Sequence, residues 1–241
     1  MTLQEILENE LPRWARITKD DPVIFTRISL LRNIKSTRFP AALPDEEKKE
    51  AAGKLDEAVR YLNDHGLGTF LPYSMESLNE QEKEILSEKG FLPDENTWLD
   101  GNSGLYLNED GSLAIRTNVH DHLAFLGFSG GNTVYSLWKR TARLAEEASD
   151  ILDYAFDREF GYLTASPQFT GSGMKIVSFL FLPGFSLHDR IGSLSEFLEL
   201  RGFHLSPAAG KADSRYPFYL LENTKSLGIR EGDYVSELDK I

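Results

Sequence analysis

The segment from Tyr135 to Leu182 constrains the fold more than any other part of the chain. Tyr135–Phe156 carries Leu137, Leu144, Ala148, Ile151 and Ala155 on one stripe, which predicts an amphipathic helix. The stretch YAFDREFGYLTASPQFTGSG, Tyr154 to Gly173, follows; Gly161, Pro167, Gly171 and Gly173 punctuate it. It separates a short strand at Tyr162–Ala165 from a longer apolar one at Met174–Leu182. The helix must therefore hand over, through a tight glycine loop, to a sheet it can pack against.

The flanking sequence supplies that sheet. VIFTRISLL, after Asp21-Pro22, reads as a strand with Phe25, Arg27 and Ser29 on one face and Ile24, Thr26, Ile28 and Leu30 on the other. The first face suits a site and the second a core. Leu105–Leu107 and Leu113–Val119 form a hairpin around Asn108-Glu109-Asp110-Gly111. Pro217–Leu221 is a last strand, and Phe125–Thr133 reads as a glycine-rich loop. Helices are expected at Asp45–Asn63, at Asn79–Lys89 with Gly90 ending it, and at Leu187–Arg201 capped by Gly202. Thr2-Leu3-Gln4-Glu5 has capping-box spacing, so a short helix opens the chain. Dominant hairpins interleaved with helices give an α+β class: an antiparallel β-sheet flanked by α-helices.

With 241 residues, 41% of them hydrophobic, the chain can form one full-core domain over 1–241. The net charge of −12 repels nucleic acid and anionic membranes. The absence of cysteine removes disulfides, thiolate metal sites and thiol catalysis. The start MTLQEILENELPRWAR is not a secretory signal, and no apolar run approaches the ~20 residues of a membrane helix. The expectation is a cytoplasmic protein with no nucleic-acid or membrane partner.

Landmarks recur along nearly the whole chain. Thr26, Arg27, Arg32 and Asn33 come first, then Phe39-Pro40. Asn118, Asp121, His122 and Leu123 follow. Gly161-Tyr162-Leu163-Thr164, Pro167, Gly171, Gly173 and Met174 mark the loop, and Leu182-Pro183, Asn223, Leu227 and Gly228 come last. In order and spacing they resemble the ATP:guanido phosphotransferases, above all the bacterial protein-arginine kinases. The resemblance implies a guanido-kinase (glutamine synthetase-like) catalytic domain whose antiparallel sheet cradles ATP and Mg2+. It also implies that neither the phosphoarginine-reading C-terminal domain nor the N-terminal helical domain of small-guanidine kinases accompanies this one.

The family's chemistry uses five arginines, two carboxylates and a loop cysteine. Arg27 matches the first arginine, but Ser29 and Ala124 stand at two others and Lys175 at the signature-strand arginine. The remaining arginine and the late glutamate fall near Leu205 and Gly210. His120 stands at the key glutamate, Val119 at its neighbour and Ser166 at the cysteine. Losing a positioned base costs about 10²–10⁴ in rate, and losing a transition-state cation ~10³ or more. The implied function is a pseudokinase acting as a protein- and nucleotide-binding regulatory module. Its expected partner is an active protein-arginine kinase or another cytoplasmic protein.

Two alternatives remain at this level. One is an active phosphotransferase with an altered acceptor, in which His120 replaces the glutamate and Arg27, Lys175 and Arg116 hold phosphates. The other is a domain that recognises a cationic peptide or guanidine. Arg116, Asn118, His120 and His122 alternate as if along one strand, which would place them on a single face. Backbone amides of Gly171-Ser172-Gly173 could approach a phosphate.

Overall fold

The computed structural model describes residues 3–8, 21–93, 99–131, 133–208 and 216–241. Among them the strands are β1 (Val23–Arg32), β2 (Leu71–Ser74), β3 (Gly104–Leu107), β4 (Leu113–Thr117), β5 (Leu123–Ser129), β6 (Phe156–Asp157), β7 (Gly161–Tyr162), β8 (Met174–Phe181), β9 (Phe203–Pro207) and β10 (Phe218–Asn223). The helices are α1 (Leu3–Glu8), α2 (Asp45–Asp64), α3 (Glu80–Glu88), α4 (Val134–Ala148), α5 (Pro183–Leu187), α6 (Ile191–Glu199) and α7 (Glu231–Leu238). Eight strands form one antiparallel sheet in the order β2-β3-β4-β5-β1-β8-β10-β9; β6 and β7 pair separately. No helix of the described residues is long and apolar enough to cross a membrane.

Strand alternation sorts the apolar residues onto two faces. Ile28, Leu30, Phe125, Ile176 and Leu221 pack under α2, α4, α6 and α7. Leu31, Leu105, Ala124, Leu126 and Phe128 pack on the other side, against Ile6 of α1, Leu86 of α3 and Phe91. That second layer covers β3, β4, β5 and part of β1. Beyond it the same face carries Phe25, Phe179 and Phe218, with neighbouring ring centroids 5.5 and 5.6 Å apart.

Several sequence expectations hold: the central strand, the β3–β4 hairpin, α2, and α3 with its cap. Others are corrected. Residues 125–129 belong to β5, not to a loop. β5 is buried on both faces, so its sequence is continuously apolar, and Gly127 lets α4 approach where an added Cβ would meet the Leu137 side chain at 2.9 Å. α4 ends at Ala148, short of Phe156, because the chain beyond it pairs with the end of β1: Lys35 N–H donates to Asp153 O and Ala155 N–H to Asn33 O. The helix expected over Leu187–Arg201 is shortened to α6; α5 precedes it, and Asp189, at φ 52°, separates the two. β2, β9 and α7 had not been read from the sequence.

Candidate functional site

Register places the candidate cations on one face, as the alternation of β1 requires. Arg27 lies across from Phe128 on β5 and Val177 on β8; Ser29 lies across from Leu126 and Lys175. Arg116 on β4 lies across from Ala124 on β5. Sharing a face does not bring all three charged heads to one point, however: two reach the end of α3 and the third reaches β10.

Arg27 and Arg116 both turn towards the end of α3. That helix closes in a Schellman motif: Phe91 N–H donates to Leu86 O and Gly90 N–H to Ser87 O, each at 2.8 Å. The motif needs Gly90 in the left-handed region, at φ +80°. It presents two carbonyls at the negative end of the helix dipole. Arg27 Nη1 donates to Gly90 O at 2.8 Å and Arg116 Nη1 to Phe91 O at 3.3 Å. A Cβ on residue 90 would lie 2.5 Å from Arg27 Nη1. Gly90→Ala is therefore expected to cost about 1–3 kcal/mol, from the left-handed backbone together with the displaced guanidinium. A chemical-denaturation midpoint unchanged from the parent protein would contradict this.

Lys175 turns the other way. Its Nζ lies 3.1 Å from Glu222 Oε1 on β10 and 5.7 Å from the centroid of the Phe169 ring. Glu222 pairs with Val177, so it is the diagonal neighbour of Lys175 across the β8–β10 ladder. The two side chains are about one-third exposed. This carboxylate, which sequence reasoning missed, adds a negative charge to the face that carries the cations.

Residues 118–122 do not continue β4 as a strand. Asn118 has φ 51° and its N–H donates to His122 O, closing a turn into β5. The single-strand face proposed for Arg116, Asn118, His120 and His122 is thus overturned. Burial pushes the Asp121 carboxyl up, against the hydrogen bonds from Ala165 N–H and Asn33 and the lesser effect of the Arg116 and His120 charges. Asn33 ties the region together. Its Nδ2 donates to Asp121 Oδ1 (2.6 Å) and Leu163 O (3.0 Å), and its Oδ1 accepts from His122 N–H (2.9 Å). His122 Nδ1 lies 2.8 Å from the same Oδ1 and 3.4 Å from Ile34 N.

His122 is fully buried, and burial lowers its pKa to about 4. A depressed histidine pKa favours folding above the ordinary value. As pH falls from about 6.5 to about 4 the unfolded chain takes up a proton that the folded chain refuses. Stability is expected to drop by roughly 3 kcal/mol across that window. The drop should be absent in His122→Asn. Equal acid sensitivity in both proteins, measured by urea titration at several pH values, would contradict the assignment.

The remaining sequence candidates hold structural positions. Ser166 precedes the short 3-10 turn Pro167–Phe169, and its carbonyl accepts from Thr164 Oγ1 at 2.7 Å. Among the described residues no side chain is hydrogen-bonded to Ser166 Oγ as a base would be. The Gly171-Ser172-Gly173 amides are not a phosphate nest: they donate to Tyr162 O, Ser226 O and Phe169 O. Leu205 is buried in the helix-side core, and Gly210 lies outside the described residues. Sequence reasoning also missed Arg32 as a buried group. Its guanidinium stacks 3.6 Å from the centroid of Tyr162 and pairs with Glu231 at 2.8 Å.

Comparison with known proteins agrees with this architecture. The family model for the ATP:guanido phosphotransferase C-terminal catalytic domain matches residues 52–241. A protein-arginine kinase of Clostridium acetobutylicum is 29% identical over 229 residues, covering 92% of this chain and 65% of that protein. One from Exiguobacterium is 28% identical, covering 94% of this chain and 64% of that protein. The chain thus spans about two thirds of the length of these relatives. The Schistosoma mansoni duplicated taurocyamine kinase, solved with transition-state analogue components, superposes with a TM-score of 0.77 at 22% identity, covering 96% of this chain and 34% of that one. A lombricine kinase gives 0.75 at 19% identity, covering 97% and 67%. The chain belongs to the ATP:guanido phosphotransferase family and has its phosphagen kinase-like fold.

Proposed function

We propose that this member of the family is a pseudokinase, which has lost phosphoryl transfer and works through protein contacts. The observation that carries this reading is the commitment of the three candidate cations on this sheet face. Arg27 and Arg116 donate to the carbonyls of Gly90 and Phe91, and Lys175 faces Glu222. A triphosphate fits these residues poorly, because it would have to share both guanidiniums with the α3 carbonyls and approach the Glu222 carboxylate. Phosphoryl transfer relies almost entirely on positioned charge, so no catalytic step is assigned to this face.

The loss of the acidic pair supports the same reading. Val119 and His120 occupy the turn before Asp121, and Asp121 is buried against Asn33 and the Ala165 N–H. A cytoplasmic protein partner is the expected ligand, and an active protein-arginine kinase is the first choice because it shares this scaffold. The assay is incubation with Mg-ATP and either arginine or an arginine-rich peptide, read by phosphorus NMR. No phosphoarginine should form. Product whose formation Arg27→Ala abolishes would overturn the proposal. The partner half is tested by adding the chain to an active protein-arginine kinase and measuring co-elution and the kinase's rate.

A further inference from the structure

We propose that the helix-covered face of the sheet holds a second binding site, independent of the Arg27 face, for a small neutral amphiphile: an apolar body with one hydroxyl or carbonyl group. A cavity of about 250 Å³ lies between β1, β8 and β10 below and α5, α6 and α7 above. Leu180, Leu194, Leu198 and Leu221 contribute apolar walls. This is slightly smaller than the ~300–1,000 Å³ of sites for drug-sized ligands, so a single-ring or short-chain molecule suits it.

Its floor is polar. Thr26 and Ser178 pair in register across β1 and β8, are 3% and 1% exposed, and place their hydroxyl oxygens 2.9 Å apart. Two hydroxyls own two O–H donors and four lone pairs, and their mutual bond uses one of each. Among the described residues neither hydroxyl has another hydrogen-bond partner, so one donor and several acceptor sites remain in a leucine-lined space. Two hydroxyls side by side at the base of an apolar cavity can receive one hydroxyl or carbonyl oxygen from a ligand. Asp21 also lines the cavity, and its carboxylate disfavours an anionic head. Burying any unpaired charge there is costly as well. Thr26 and Arg27 point to opposite faces of β1, so this site does not depend on what the Arg27 face binds.

The test uses benzyl alcohol, toluene and benzoate as probes, with leucine-methyl NMR and thermal denaturation as readouts. Benzyl alcohol should move the Leu180, Leu194 and Leu198 methyl resonances saturably and raise the melting temperature, whereas benzoate at equal concentration should do neither. Leu194→Trp, which fills the cavity, should abolish the response. In the Thr26→Val/Ser178→Ala double variant the preference for benzyl alcohol over toluene should fall about fivefold, the worth of one hydrogen bond. The hydroxyl pair is only a satisfied core contact if that ratio is unchanged. The site itself is overturned if neither neutral probe gives a saturable response, or if Leu194→Trp leaves the response intact.

Discussion

Replacing Asn33 with alanine is expected to lower stability by roughly 3–5 kcal/mol. Asn33 is 1% exposed and its amide serves four contacts: Asp121 Oδ1, Leu163 O, His122 N–H and His122 Nδ1. Alanine leaves at least two of these groups buried without a partner, at about 1–3 kcal/mol each. The effect is larger than for one lost hydrogen bond because the amide joins three segments: the end of β1, the turn before β5, and the loop at Leu163–Ala165. A urea midpoint that moves by less than the equivalent of ~1 kcal/mol would show that the contacts are redundant.

Glu231→Ala is expected to be as damaging, at about 3–5 kcal/mol. The Arg32 side chain is 4% exposed and Glu231 supplies its counter-charge at 2.8 Å. The other Glu231 oxygen accepts from Trp138 Nε1, also at 2.8 Å. With the carboxylate gone, the guanidinium stays buried between the Tyr162 ring and the Leu31 and Ser172 carbonyls. Those contacts hydrogen-bond it but do not neutralise it, and removing one partner of a buried pair strands the other charge. Glu231→Gln should recover only a small part of the loss, because its one carbonyl oxygen can accept from Arg32 or from Trp138 while its NH2 group faces the other donor. A loss that is small and disappears in high salt would mark the pair as solvent-screened, contrary to its burial.

The sequence was most legible where one strand face is buried and the other is not. On β1 the alternation of Arg27 and Ser29 with Thr26 and Ile28 gave the correct face for each residue. It was least legible where both faces are covered. β5 shows no alternation, and its glycine, there to admit α4, reads as a loop signal. At the candidate site, the identities at 27, 29, 120, 124, 166 and 175 could be read from the motif order. Their partners could not. That Arg27 meets Gly90 O depends on how α3 docks, 63 residues away in the chain. Glu222 meets Lys175 only because β10 pairs with β8, across the intervening β9 and two helices. The turn at Asn118 was missed because a positive φ at asparagine leaves no periodic trace, and the residues around it alternate as a strand would.

The central claim is that Arg27, Arg116 and Lys175, the candidate cations, already serve the protein. Calorimetric titration with Mg-ATP tests it most directly, with the chain and its Glu222→Ala variant measured side by side. The expected result is a dissociation constant for the parent chain weaker than ~1 mM, on the affinity scale where 1 mM corresponds to about −4 kcal/mol. The variant, with Lys175 released, should bind measurably tighter. Micromolar binding by the parent chain that Arg27→Ala abolishes would contradict the claim, since Arg27 would then be holding phosphate and not the end of α3.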